Sequence, residues 1–262
     1  MSDYLKMERD GAVAIVTLNR PQTRNAISDN NAIEALVAMS EAVNRDRSIH
    51  ALVLTGAGSA FCAGGDLVQL GQIGEGSLGE PAQIRHFYRE GIQRVPLALC
   101  HIEVPTIAAV NGPAMGAGND LACMCDIRIA ADTASFAESF VKLGLIPGDG
   151  GAWLLQRALG ASRACEMAFT GEAISAAQAL EWGLVSQVVP GEALMPTALE
   201  LAQRIASNPG DALRMTKRLM LESRHGRLAD VLELSAALQS LAHNTKAHRD
   251  ALDVMLTRLR AR

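Results

Sequence analysis

The feature that most constrains this chain is a repeated pairing of an apolar run with a glycine-rich loop that ends on a carboxylate. Residues 51–55 lead to Ala63-Gly64-Gly65-Asp66, and residues 106–110 lead through a turn at 111–113 to Gly116-Ala117-Gly118-Asn119-Asp120. Each reads as a strand, a tight loop and, for the second, a helix start. Gly116, Ala117 and Gly118 carry almost no side chain, so a ligand can approach the backbone N–H groups that a helix start leaves without intrahelical partners. Such donors favour negative charge, with the positive end of a helix dipole behind them. Two similar loops from one sheet can each aim one N–H at the same oxygen, which is what an oxyanion hole requires. Taken singly, each loop also reads as a structural turn.

Composition limits what such a site serves. The chain has 262 residues, 49% hydrophobic and 20% charged, and a formal net charge of −4. That is enough chain for a sizeable core and gives no overall attraction to nucleic acid or an anionic membrane. No basic segment leads into an apolar stretch near residue 1, and no apolar run approaches the roughly 20 residues of a membrane span, so the expected location is the cytoplasm. The five cysteines sit mostly in apolar surroundings and read as reduced core residues. Cys123-Met124-Cys125 lacks the spacing of common zinc sites, and no metal is expected.

Along the chain, Val13–Leu18 reads as a strand with a turn at Arg20-Pro21. Ser28 is placed to cap a helix on which Ile33, Leu36, Val37, Met39, Ala42 and Val43 recur at helical spacing. The return to the strand at 51–55 makes a crossover unit. Residues 72–80 read as a mobile glycine-rich loop near a binding site, and 81–95 as a helix broken or restarted at Pro96. His86 and Glu90 lie four apart on a solvated face. Strands are expected at 127–130 and 134–138. Residues 144–151 form a glycine-rich turn without the Lys-Ser/Thr ending of a nucleotide loop. Asp149 there reads either as a helix cap or as a carboxylate of the site. Beyond residue 161 the chain turns largely helical, with a short strand at 184–189 and leucine stripes that mark core or subunit contacts.

Several of these pieces occur together in an order that resembles the crotonase family, the enoyl-CoA hydratases and isomerases. They are Leu18-Asn-Arg-Pro21 with Asn25-Ala26, Ala60-Phe-Cys-Ala-Gly-Gly-Asp66, Ala109-Val-Asn-Gly112, Gly116-Ala-Gly118, Cys125-Asp126 and Gly144-Leu-Ile-Pro-Gly148. The resemblance implies an α/β fold, a crotonase-like spiral of repeated β-β-α units. Residues 1–190 would form the core with the acyl-CoA site, and 191–262 a C-terminal helical oligomerisation region. It also implies a coenzyme A thioester substrate, with the N–H groups of Ala63 and Ala117 as the oxyanion hole. The family usually has Gly at the second position; Ala117 keeps the N–H. Gly64, Gly65, Asp66, Gly116 and Phe140 are the expected substrate-binding surroundings, and Arg24 can reach a phosphate of coenzyme A. No cofactor is expected apart from the coenzyme A of the substrate. The expected assembly is a homotrimer or a dimer of trimers, with no nucleic-acid or membrane partner.

The carboxylates separate the possible reactions. Adding water to an enoyl thioester needs a base for the water and an acid for the α-carbon. The hydratases that this chain resembles use two glutamates; by loop spacing the first falls on Asp120 and the second on Phe140, which transfers no proton. Three readings follow. Hydration survives if Glu138 or Asp149 is a displaced second carboxylate; Asp120 alone shuttles a proton between carbons, which is isomerisation; or the oxyanion hole serves hydrolysis or decarboxylation. Hydration with Asp120 as acid/base is the leading expectation, and a non-catalytic acyl-CoA-binding relative is the competing class. Asp66 is expected to orient backbone.

Overall fold

The computed structural model describes residues 3–27, 29–76 and 79–260. Its strands are β1 (Leu5–Asp10), β2 (Val13–Leu18), β3 (Ala51–Gly56), β4 (Thr106–Val110), β5 (Ala114–Met115), β6 (Ile127–Ala131), β7 (Ser135–Ala137), β8 (Ala173–Ser175) and β9 (Gln187–Val189). Its helices are α1 (Asn30–Arg45), α2 (Leu67–Gly74), α3 (Pro81–Glu90), α4 (Arg94–Cys100), α5 (Ala117–Cys123), α6 (Gly151–Leu159), α7 (Ala161–Thr170), α8 (Ala176–Glu181), α9 (Leu194–Ala206), α10 (Gly210–Glu222), α11 (Leu228–His243) and α12 (Lys246–Arg260).

One sheet runs β1-β2-β3-β4-β6-β9 and a second runs β5-β7-β8. β1 pairs antiparallel with β2, and the rest of the larger sheet is parallel. The central strands read as unbroken apolar runs because both of their faces are covered. Alternate residues such as Val16, Leu52, Leu54 and Val110 enter the main core with α1. Val13, Val53, Ile107 and Ala109 face a second core with Leu194, Ala198 and Ala202 of α9. On α1 the buried face is Ala32, Ile33, Leu36, Met39, Ser40 and Val43. Each large apolar side chain there contributes about 1.5–3 kcal/mol of burial before ordering costs. Asp29 caps α1 by accepting from Ala32 N at 2.8 Å; the expected cap, Ser28, lies outside the described residues.

The register Leu52↔Thr106 through Thr55↔Ala109 brings the carboxyl ends of β3 and β4 level. Both glycine-rich loops therefore leave the same sheet edge, where ligands bind in parallel sheets. Two elements differ from the sequence reading: β1, whose residues are mostly exposed, and α2, whose last turn covers the start of the expected 72–80 loop, of which residues 77–78 lie outside the described residues. The helix expected over 81–95 ends earlier, at Glu90, and Pro96 lies within the first turn of α4 rather than at the break.

The C-terminal helices are tied on by two buried cations. Lys217 of α10 donates to Val104 O at 2.9 Å and lies 2.7 Å from an Asp126 carboxylate oxygen. Arg214 reaches the Glu103 carboxylate at 2.6 Å and the carbonyls of Asp46 and Ile49. Burying these groups is tolerable because each is paired and hydrogen-bonded. Farther out, α11 and α12 bury no residue. Among the described residues, no helix is long and apolar enough to cross a membrane.

Candidate active site

The two loops meet. Met115 N donates to Cys62 O at 3.0 Å, and the N–H groups of Phe61 and Cys62 both reach Pro113 O. Gly64 has φ +90°, and a Cβ on it would stand 2.5 Å from Met115 O and 3.5 Å from Ala117 N. A Cβ on Gly118 would overlap the Cys62 carbonyl. The small residues are thus required by the seam between the loops as well as by ligand approach.

Asn25 locks this seam from behind. It is fully buried with φ +59°, a conformation Asn tolerates better than most residues. Its Nδ2 lies within hydrogen-bond distance of the carbonyls of Ala57, Ala60 and Phe61, and its Oδ1 accepts from Arg20 N. The structure makes Asn25 the residue that orders the first loop, a role that the motif match alone does not describe.

A cavity opens beside the seam, lined by Gly65, Ala117, Phe140, Asp149, Tyr88 and Phe87 among others. Ala117 is the first residue of α5, so its N–H has no intrahelical partner. The Ala63 N–H differs from expectation: it donates to Arg24 O at 2.9 Å, because the left-handed backbone of Arg24 and Asn25 turns that carbonyl onto the loop. The Arg24 side chain is exposed. Asp66 caps α2 through Val68 N at 2.8 Å, the backbone-orienting part expected of it. Phe140 stands against Gly116, 3.5 Å from where a Cβ would lie.

The carboxylates fall in two places. Asp149 is on the cavity wall, 5% exposed, and burial pushes its carboxyl up to about 6. It is not a helix cap: Gly150, at φ +103°, takes that position on α6. Asp29 also borders the cavity, but it is committed to the cap of α1 and to Arg20 at 2.7 Å. Asp120 and Glu138 lie behind the wall, at 0% and 1% exposure. All seven residues of α5 are buried, and the turn that presents the Ala117 N–H aims Asp120 inward, away from the cavity position expected of it.

There Asp120 Oδ1 and Glu138 Oε1 converge over Gly151, where a Cβ would overlap both. Glu138 Oε2 accepts from Asn119 Nδ2 at 2.9 Å. The Gly151 N–H points toward Asp120 without closing a hydrogen bond of normal geometry. Asp120 is held well above the usual carboxylate range, first by burial, then by the negative charges of Glu138 and Asp149. Burial likewise raises Glu138, to about 7, against the pull of its bonds with Asn119 and Asp120. Burial and the neighbouring negative charges therefore favour the protonated form, of Asp120 most of all. Asn119 and Glu138, nineteen residues apart, give no sequence signal of this contact.

The chain matches known proteins over nearly its whole length. Residues 8–260 fit the family model described as enoyl-CoA hydratase/isomerase. The chain belongs to the enoyl-CoA hydratase/isomerase family. It is 37% identical over 259 residues to the 1,2-epoxyphenylacetyl-CoA isomerase of Escherichia coli, covering 98% of this chain and 97% of that one. It is 34% identical over 251 residues to the short-chain-enoyl-CoA hydratase of Clostridium acetobutylicum, covering 95% and 93%. The crystal structure of enoyl-CoA hydratase from Bacillus anthracis superimposes with a TM-score of 0.89 at 33% identity, covering 97% and 96%. The fold is accordingly the crotonase fold of this family, and the chain is an enzyme of hydratase/isomerase type acting on an acyl-CoA thioester.

Proposed function

We propose that the protein moves the double bond of an enoyl-CoA thioester, with Asp149 as the single base on the cavity wall. The observation that carries this reading is that, among the described residues, Asp149 is the uncommitted carboxylate lining the cavity, which it shares with Phe140, a side chain that transfers no proton. Ionised Asp149 takes a proton from C2, and the C–H electron pair passes into a dienolate. The same carboxyl then returns a proton at C4. The oxyanion is held by the Ala117 N–H and the α5 dipole, joined by the Ala63 N–H when the thioester oxygen displaces the Arg24 carbonyl. The reaction is redox-neutral, so coenzyme A enters only as part of the substrate. Exposed Arg24 is the residue assigned to its phosphates. Phe87, Tyr88 and Phe140 favour an apolar acyl group.

A second reading is hydration, favoured by the proton retained on Asp120: Asp149 would activate water and the buried pair would supply the acid. The two readings separate on 3-hexenoyl-CoA and crotonyl-CoA with Asp149→Asn and Asp120→Asn variants. The isomerase reading expects bond migration to fall 10²–10⁴-fold in Asp149→Asn and far less in Asp120→Asn. The reverse order would return the base to Asp120. The exposed apolar faces of α11 and α12 suit a homotrimer or dimer of trimers, and the cytoplasm is the proposed location.

A further inference from the structure

Asp149 sits in a turn with little of its own to hold it. The segment Gly148-Asp149-Gly150 has a glycine on either side of the carboxylate, and Gly150 takes φ +103°. Glycine leaves the backbone its widest choice of conformations. Among the described residues, the Asp149 carboxylate accepts no hydrogen bond, and burial is the cause of its raised pKa. Asp149 lines the substrate cavity, and the whole turn also borders a space of about 590 Å³ that it shares with Pro96 and Leu97. The direction of the carboxylate is therefore set by the backbone, and that backbone is held from outside the turn.

The hold is Gln93. Its Nε2 donates to Gly148 O at 3.0 Å, a part-buried bond between residues 55 apart in sequence. Among the described residues, no other side chain is hydrogen-bonded to the backbone of residues 146–149. The Gly148 carbonyl and the Asp149 N–H belong to one planar peptide unit. Fixing the carbonyl thus fixes the plane from which the Asp149 Cα, and with it the side chain, departs. Gln93 is itself anchored: it stands at the N-cap position of α4, and its own N–H donates to Tyr88 O at 3.0 Å. Tyr88 lines the substrate cavity together with Asp149, and its ring lies 3.5 Å from where a Cβ on Gly148 would stand. One side chain ties the turn that carries the carboxylate to the end of α3, which lines the same cavity.

We propose that Gln93 is a positioning residue for the proton transfer: by holding the Gly148 carbonyl, it fixes the direction in which Asp149 presents its carboxylate to the substrate. The inference rests on Asp149 as the base. A misplacement of about 1 Å at the reacting atoms costs on the order of 10²-fold in rate. Gln93 does not line the substrate cavity, so its loss falls on kcat rather than on KM.

The test uses Gln93→Met, which keeps the length of the side chain and removes the donor, alone and combined with Asp149→Asn, on 3-hexenoyl-CoA. In the otherwise wild-type protein kcat is expected to fall at least about tenfold with KM within about twofold. In the Asp149→Asn background the same substitution is expected to change kcat less than about twofold, because it acts through the carboxylate already removed. A second readout needs no turnover. The Asp149 carboxyl carbon, labelled with ¹³C and assigned by the loss of its signal in Asp149→Asn, titrates near pH 6 in wild type. In Gln93→Met its midpoint is expected to fall by at least about half a pH unit, as the loosened turn admits water to the carboxylate. A smaller loss of kcat, a loss expressed in KM instead, equal losses in both backgrounds, or an unmoved midpoint overturns the proposal. If Asp149→Asn isomerises 3-hexenoyl-CoA as fast as wild type, the single-base reading fails on that result alone, and Gln93 is judged by the midpoint. A fall retains it as the residue that sets Asp149; no change removes it.

Discussion

Replacing Asp149 by Asn separates stability from activity in opposite directions. The carboxyl is buried, and its pKa rises from an ordinary 3.8 to about 6 with burial as the cause. Between about pH 4 and pH 6 the folded protein holds a proton that the unfolded chain has released. Stability therefore falls as pH rises through that window and is level above it. At 1.36 kcal/mol per tenfold in proton affinity, ionised Asp149 costs the fold about 3 kcal/mol at pH 8. Asn is nearly isosteric and never ionises. Asp149→Asn is therefore expected to gain up to about 3 kcal/mol at pH 8, or about 5–10 °C in Tm for a chain of this size, and almost nothing at pH 4. The same substitution removes the base and lowers turnover by 10²–10⁴-fold. Wild-type kcat/KM is expected to fall below a midpoint near pH 6, where Asp149 protonates. The assay is thermal unfolding of both proteins at matched pH from 4 to 8, so that other titrating groups cancel in the difference. A difference that does not grow with pH, or a variant less stable than wild type at pH 8, refutes the reasoning.

Other consequences are open to direct measurement. Phe140→Glu puts a second carboxylate on the cavity wall and is expected to raise water addition to crotonyl-CoA relative to bond migration, read by NMR of the products; an unchanged ratio contradicts the part given to Phe140. Asn25→Ala leaves the carbonyls of Ala57, Ala60 and Phe61 without their shared donor and puts Ala at φ +59°; urea unfolding is expected to show a loss of about 2–4 kcal/mol. Asp126→Ala strands buried Lys217 and is expected to cost about 3–5 kcal/mol in the same experiment, with less than 1 kcal/mol counting against a buried pair.

Much of the fold was legible because its signals are local. The doubly covered strands β2, β3 and β4 read as apolar runs, and α1 carried its stripe at helical spacing. The paired loops repeat the same short ending, and their convergence follows from strands that share a register. β1 was missed because an edge strand keeps most of its residues in water, and α2 because Gly71 and Gly74 mimic a loop.

The site was harder, since a spacing gives an element and not a direction. Counting along the loop put Asp120 in a helix start, where it is, but the inward turn of that residue depends on packing around a helix with every residue buried. Engagement of the Ala63 N–H by the Arg24 carbonyl is a backbone contact between segments 39 residues apart, and no side chain announces it. Arg214 and Lys217 look like surface charges of an amphipathic helix, yet both are buried by partners contributed from the sheet side.

The account centres on one cavity-facing carboxylate that moves a proton. The most direct measurement follows the products of 3-hexenoyl-CoA and, in parallel, of crotonyl-CoA in ¹⁸O-water by mass spectrometry and NMR. The account predicts 2-hexenoyl-CoA formed ahead of any ¹⁸O-labelled hydroxyacyl-CoA; labelled hydroxyacyl-CoA from crotonyl-CoA at a rate equal to or above bond migration would contradict it.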